Sequence, residues 1–108
     1  MDYGEKIMAN TIYEKNGTTL TVKPEGRLDT ATSPALQKEL QQYMDGVQDI
    51  LMDFEKVEYI SSGGIRVLLA TEQMLEDRGG SMTLIHVNKY IIDVFKLVGF
   101  MSVVKVEL

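Results

Sequence analysis

The chain has 108 residues, 44% apolar and 25% charged, with 16 acidic side chains against 11 basic ones and a net charge of −5. That length fits one domain over residues 1–108, large enough to bury a core without a staple. The lack of cysteine excludes thiolate catalysis, thiolate zinc and iron–sulfur ligation, and a single histidine excludes a three-histidine metal site. The acidic balance argues against nucleic acid, whose binding rests on clustered Lys and Arg. No apolar run approaches the ~18 residues that span a bilayer. Met1 to Lys6 is polar, with no signal-peptide core behind it. The expectation is a cytoplasmic domain without a membrane partner, and composition points to a binding or switch protein before an enzyme.

In chain order, Ile12 to Lys15 and Thr18 to Val22 flank Asn16-Gly17, a strong hairpin signal, so two antiparallel strands open the fold. Ser33-Pro34 then starts a helix, with Ser33 read as N-cap and Pro34 at the first helical position. Leu36, Leu40 and Tyr43 follow at helical spacing, and Gly46 closes the element. Asp49 to Val57 reads as one strand, with Ile50, Met52 and Phe54 on one face. A second helix carries Ile65, Leu68, Leu69 and Leu75 inward and Arg66, Glu72, Gln73, Glu76 and Asp77 outward, ending at Gly79-Gly80. Met82 to Val87 is a strand. Asn88 caps a third helix carrying Ile91, Ile92, Phe95 and Val98, Gly99 stops it, and Val103 to Val106 returns as a strand.

The order is ββαβαβαβ: an α/β domain with a mixed, mostly parallel sheet opened by an antiparallel hairpin. Right-handed crossovers between neighbouring strands place the helices mainly on one face. Thr19, Thr21, Asp53, Lys105 and Glu107 alternate with apolar neighbours, so the other face is partly solvated.

The most informative segment is Tyr59-Ile60-Ser61-Ser62-Gly63-Gly64-Ile65, where a strand runs into a helix N-terminus. Free N–H groups and the positive end of the helix dipole favour an anion there, and a serine in that place is well suited to carry a phosphate. The plain alternative is that Ser61 and Ser62 only cap the helix and the glycines only form the turn. Asp29 and His86 belong near the same sheet edge, at the ends of strands. Ser62, His86 and Asp29 can be drawn as a hydrolytic triad, against which stand the missing Gly-x-Ser-x-Gly elbow and the turn-forming role open to Asp29. Glu72, Glu76 and Asp77 read as a solvated helix face. Met52, Met74 and Met82 read as core filler.

These elements together resemble the STAS domain family, in particular the stand-alone bacterial anti-sigma factor antagonists (anti-anti-sigma factors). The likeness runs from about Met8 to Val106. It rests on Gly26-Arg27-Leu28-Asp29 before the first helix, Val57 to Leu69 at the junction, Gly79-Gly80, and Leu97-Val98-Gly99-Phe100 near the end. It implies a non-enzymatic partner switch with no cofactor and no metal. An unphosphorylated antagonist binds an anti-sigma factor that is also a serine kinase, phosphorylation of one serine breaks that complex, and a PP2C-type phosphatase restores it. The family's usual Asp-Ser-Ser/Thr-Gly pattern, aligned through Gly64, Ile65 and Leu68, sets its aspartate on Ser61 and its phosphoserine on Ser62. Gly63 takes the second hydroxyl position. Ser62 is thus the expected phosphorylation site and Ser61 a second candidate. Asp29, Ser61, Ser62, Gly63, Gly64 and Arg66 form the expected partner surface. A STAS scaffold or ligand-sensing protein is the alternative within the fold, and a small serine hydrolase the alternative outside the family.

Overall fold

The computed structural model describes residues 11–108. The polar stretch Met1 to Lys6 and the start of the family likeness at Met8 lie outside the described residues. Strands β1 (Ile12–Asn16) and β2 (Thr19–Lys23) form the antiparallel hairpin, with Tyr13 opposite Val22. β4 (Asp49–Asp53), β6 (Ser81–Ile85) and β7 (Lys105–Val106) then add in parallel, giving a five-stranded sheet in the order β1-β2-β4-β6-β7. Leu20 lies opposite Ile50, and Ile50 opposite Met82. Leu20, Val22, Ile50, Met52, Met82 and Leu84 are all buried on one face, while Thr21, Leu51, Asp53, Thr83 and Ile85 are half-buried on the other. The period of two is the expected consequence of a sheet covered on one side.

The expected strand from Asp49 to Val57 is two strands. Asp53 Oδ1 accepts the Glu55 amide at 3.0 Å, and Val57 N–H bonds to Phe54 O at 2.9 Å, so the chain turns at Phe54–Glu55. Beyond the turn, β5 (Lys56–Ile60) leaves the main sheet and pairs in parallel with β3 (Glu25–Leu28) in a separate two-stranded sheet. Gly26 at φ +92 sits where the β3–β5 register shifts.

Helix α1 spans Ser33–Tyr43, α2 spans Ser62–Asp77 and α3 spans Lys89–Val98. Asn88 caps α3 as expected, its side chain accepting the Ile91 amide at 2.8 Å. Ser33 is not the cap of α1. Thr32 holds that position and Ser33 is helical, because Asp29 O takes the Ser33 amide and the Asp29 carboxylate takes the amides of Ala31 and Thr32. Leu69 and Val98, placed inward by periodicity, are exposed; Leu68 and Leu75 are buried as expected, and Val67 is buried on the α2 face where Leu69 is not. Glu72, placed on the solvated face, is 5% exposed and accepts the Met82 amide at 2.9 Å. Burial raises the Glu72 carboxyl pKa against the opposing pull of that amide, and neighbouring Glu76 raises it further. Val103–Val104 does not join β7, since a 3-10 turn over Phe100–Ser102 runs up to it and buries Phe100 on Phe95. No helix among the described residues is long and apolar enough to cross a membrane.

Candidate functional site

β3 and β5 end side by side, and their two exits build the junction. The Ser61 amide bonds to Leu28 O at 2.9 Å, which fastens the start of α2 to the start of the Asp29 loop. A Cβ placed on Gly64 would lie 2.7 Å from Leu28 O and 2.7 Å from Ile60 Cγ1, so only glycine allows this approach. A Cβ on Gly63 would meet Thr30 Cα at 3.3 Å. Asp29 and the first turn of α2 are therefore neighbours, as the strand-end argument requires.

Within this junction the two serines differ. Ser61 is the N-cap residue in extended conformation, and its carbonyl accepts the Ile65 amide at 3.0 Å. Its hydroxyl caps nothing. The oxygen is enclosed and has no hydrogen-bond partner among the described residues. Ser62, the first helical residue, is exposed, and so is Arg66 one turn on; Gly63 and Gly64 are buried between them and the Asp29 loop. The amides of Ser62, Gly63 and Gly64 precede the first intrahelical bond and have no partner among the described residues.

Asp29 acts as a turn former. Its Oδ1 accepts from the Ala31 and Thr32 amides at 3.0 Å each, and its Oδ2 lies 3.4 Å from Arg27 Nε. The Thr32 amide, above all, holds the Asp29 carboxyl below its usual pKa range; burial opposes it, and the Ala31 amide, the Thr32 hydroxyl and Arg27 add to the lowering. Arg27 in turn lies 4.1 Å over the Tyr59 ring, which stacks on Tyr90 at 6.0 Å. Arg27 and Tyr59 stand within motifs that the sequence singles out but receive no role there, and Thr32 and Tyr90 are not singled out. The Asp-x-x-Thr spacing of Asp29 and Thr32 is the one signal that announces this turn, while the Arg27–Tyr59 contact depends on the unexpected pairing of β3 with β5.

The hydrolytic triad does not assemble. His86 Nδ1 lies 2.9 Å from Asp53 Oδ1, not from Asp29, and no hydrogen bond joins His86 to Ser62. Asp53, Glu55 and His86 do bring three metal-type donor atoms within 4.8 Å of one another, on the loops leaving β4 and β6. A cation there would have to break the His86–Asp53 bond. Burial pushes the Asp53 carboxyl up, but the His86 hydrogen bond, the Glu55 amide and the charges of His86 and Lys23 outweigh it, and the net shift is downward. His86 is shifted upward by the hydrogen bond and charge of Asp53, opposed by desolvation and helped further by Glu55 and Glu107. A raised imidazole pKa stabilises the fold below the unfolded value and loses that contribution as pH rises through the folded one. His86 is the chain's single histidine, so one proton NMR titration reads it. We expect a midpoint above the ordinary ~6.5 in the wild type and a fall toward it in Asp53→Asn; an unchanged midpoint in that variant would contradict the pairing.

Comparison with known proteins bears on the family and the fold. The profile of the STAS domain matches residues 10–108. BtrV of Bordetella bronchiseptica, assigned as an anti-sigma factor antagonist, is 30% identical over 80 residues, covering 73% of this chain and 69% of that protein. A crystal structure from Thermotoga maritima, also assigned as an anti-sigma factor antagonist, superposes with a TM-score of 0.82 at 19% identity, over 89% of this chain and 84% of that one. The Bacillus cell fate determinant SpoIIAA superposes in its unphosphorylated form with a TM-score of 0.72 at 18% identity, over 91% and 87% of the two chains. Its phosphorylated form gives 0.70 at 19%, over 91% of each. At these identities the solved structures speak for the fold.

Proposed function

The chain belongs to the STAS domain family, among its anti-sigma factor antagonists, and from this premise we propose that it is a phosphorylation-controlled partner switch. As one STAS domain over residues 1–108, it binds in the cytoplasm an anti-sigma factor that is also a serine kinase, and so releases a sigma factor. The kinase transfers the γ-phosphoryl group of its ATP to Ser62 Oγ, the complex separates, and a PP2C-type phosphatase hydrolyses the phosphate. The chain supplies the acceptor hydroxyl and the docking face, and takes no cofactor of its own. Asp29, Ser61, Ser62, Gly63, Gly64 and Arg66 make that face, with Ser61 contributing backbone and shape.

The observation that carries this reading is the contrast between the two hydroxyls. Ser62 is exposed on the first turn of a 16-residue helix, whereas the Ser61 oxygen is enclosed. A kinase needs an acceptor that it can approach in line, and a phosphate at Ser62 sits by free amides and the positive end of the dipole. SpoIIAA, whose fold is matched with and without its phosphate, supports a modification that leaves the fold standing. The docking face is tested by charge reversal. Arg66→Glu is expected to weaken the kinase complex at least about tenfold, the scale of one lost charge-assisted contact, while Lys105→Glu, exposed on β7 at the edge of the other sheet, leaves it unchanged. Equal effects of the two substitutions in a titration with the kinase would reject the face.

A further inference from the structure

Between the first turns of α1 and α2 lies a groove of about 390 Å³, lined among others by Thr30, Ser33, Gly63 and Arg66. Three features of it point to one kind of ligand, and a fourth limits where its amides come from. The amides of Ser62, Gly63 and Gly64 open α2 without partners among the described residues, and Gly63 lines the groove. Arg66 also lines it, is exposed, and makes neither an ion pair nor a side-chain hydrogen bond among the described residues. Ser33, on the opposite wall, is 3% exposed, and its hydroxyl has no partner among the described residues. That orphan is costly to keep, because a buried donor without a partner loses its hydration and gains nothing. Finally, α1 has no amides to offer here: Ser33 N–H is spent on Asp29 O, Ala35 N–H on Thr32 O, and Pro34 has none. The groove therefore combines one cation, a hydroxyl and a helix N-terminus. No carboxylate is among the residues that line it, and Asp29, next to Thr30 in the chain, has its charge engaged by the Ala31 and Thr32 amides and Arg27.

We propose that this groove is a phosphoryl-group site in which Arg66 supplies the counter-charge and the Ser33 hydroxyl and the Gly63 amide complete the cradle. The phosphoryl group has two sources of the same chemistry: a free phosphate anion, or the phosphate borne by Ser62, which stands four residues before Arg66 and hence on the same side of α2. The second source rests on the partner-switch reading and extends it, since a phosphate that draws Arg66 into the groove also withdraws it from the docking face.

The test is an amide and guanidinium NMR titration of the whole chain, with sodium chloride at matched ionic strength as the control. Inorganic phosphate is expected to move the Gly63, Gly64 and Arg66 signals saturably. Arg66→Ala weakens the effect at least about tenfold, and Arg66→Lys restores part of it. Ser33→Ala weakens it while raising the melting temperature, because it removes a buried oxygen that bonds nothing among the described residues of the free protein. The second arm uses the chain with phosphoserine installed at position 62 by chemical ligation, so that no kinase is needed. The Arg66 signals are then expected to sit at their bound positions without added phosphate, and free phosphate no longer binds. Response in either arm supports the site and names its source. If neither arm moves Arg66 beyond the chloride control, or if Arg66→Ala responds like the wild type, the site is overturned. Kinase modification of Ser62 would survive that result, and a positive free-phosphate arm would survive failure of the kinase to act on Ser62.

Discussion

Ser62→Asp is expected to stay folded and to bind the cognate kinase more than about a hundredfold more weakly than the unmodified chain. A carboxylate on the first residue of α2 lies by unpaired amides, so the isolated domain bears the charge at no cost to the helix. At the interface the same charge faces a surface that has accommodated a small neutral hydroxyl. Desolvating it there without a matching cation costs several kcal/mol, of which about 2.7 already gives a hundredfold. Ser62→Ala, by contrast, keeps the shape and the neutrality and should bind like the wild type. Calorimetric titration with the kinase reads both variants; a Ser62→Asp chain with wild-type affinity would show that the hydroxyl does not lie in the interface.

The largest effects on stability are expected at the glycines, in a graded order set by what a Cβ would meet. At Gly80 it would fall 1.7 Å from Gln48 O and 2.6 Å from Gln48 C. Gln48 cannot retreat, since its amide bonds to Thr18 O and its side chain to Arg78 O. Gly80→Ala must therefore push β6 away from the segment entering β4, at a cost of about 3 kcal/mol or more. Gly64→Ala meets Leu28 O and Ile60 Cγ1 at 2.7 Å each, a tight contact with one yielding partner, and should cost about 1–3 kcal/mol. Gly63→Ala meets Thr30 Cα at 3.3 Å and gains helix propensity, so it should stay within about 1 kcal/mol of the wild type. Urea unfolding of the three variants gives the order directly. A Gly63→Ala chain less stable than Gly64→Ala would mean that the α2 start and the Asp29 loop are not packed as described.

The main sheet is legible in the sequence because its signals are local and repeated. Asn16-Gly17 marks the hairpin, the alternation of Leu20, Ile50, Met82 and their neighbours marks the buried face, and Asn88 and Gly99 bracket α3. The small sheet is not. β3 has four residues, of which Gly26 carries no side chain, and β5 comes after β4 with only two intervening residues, so nothing in the pattern separates them. Their pairing is nonlocal, and it decides which groups meet at the junction. Glu72 escapes the pattern for a related reason: periodicity reports the face of a helix but not that the Met82 amide at the start of β6 waits there for an acceptor. Ser33 looks like a cap because the Ser-Pro pair fits that role, but Asp29 and Thr32 together form a stronger turn one residue earlier. At the junction, the residue types are readable and their exposure is not. Two adjacent serines look alike on paper, and only the fold separates an enclosed oxygen at Ser61 from an accessible one at Ser62.

That separation is the central claim, and site mapping tests it most directly. After incubation of the full chain with its cognate serine kinase and ATP, fragmentation mass spectrometry should place one phosphate on Ser62, and Ser62→Ala should abolish the modification while Ser61→Ala retains it. Phosphate found solely on Ser61, or undiminished phosphorylation of Ser62→Ala, would contradict the account.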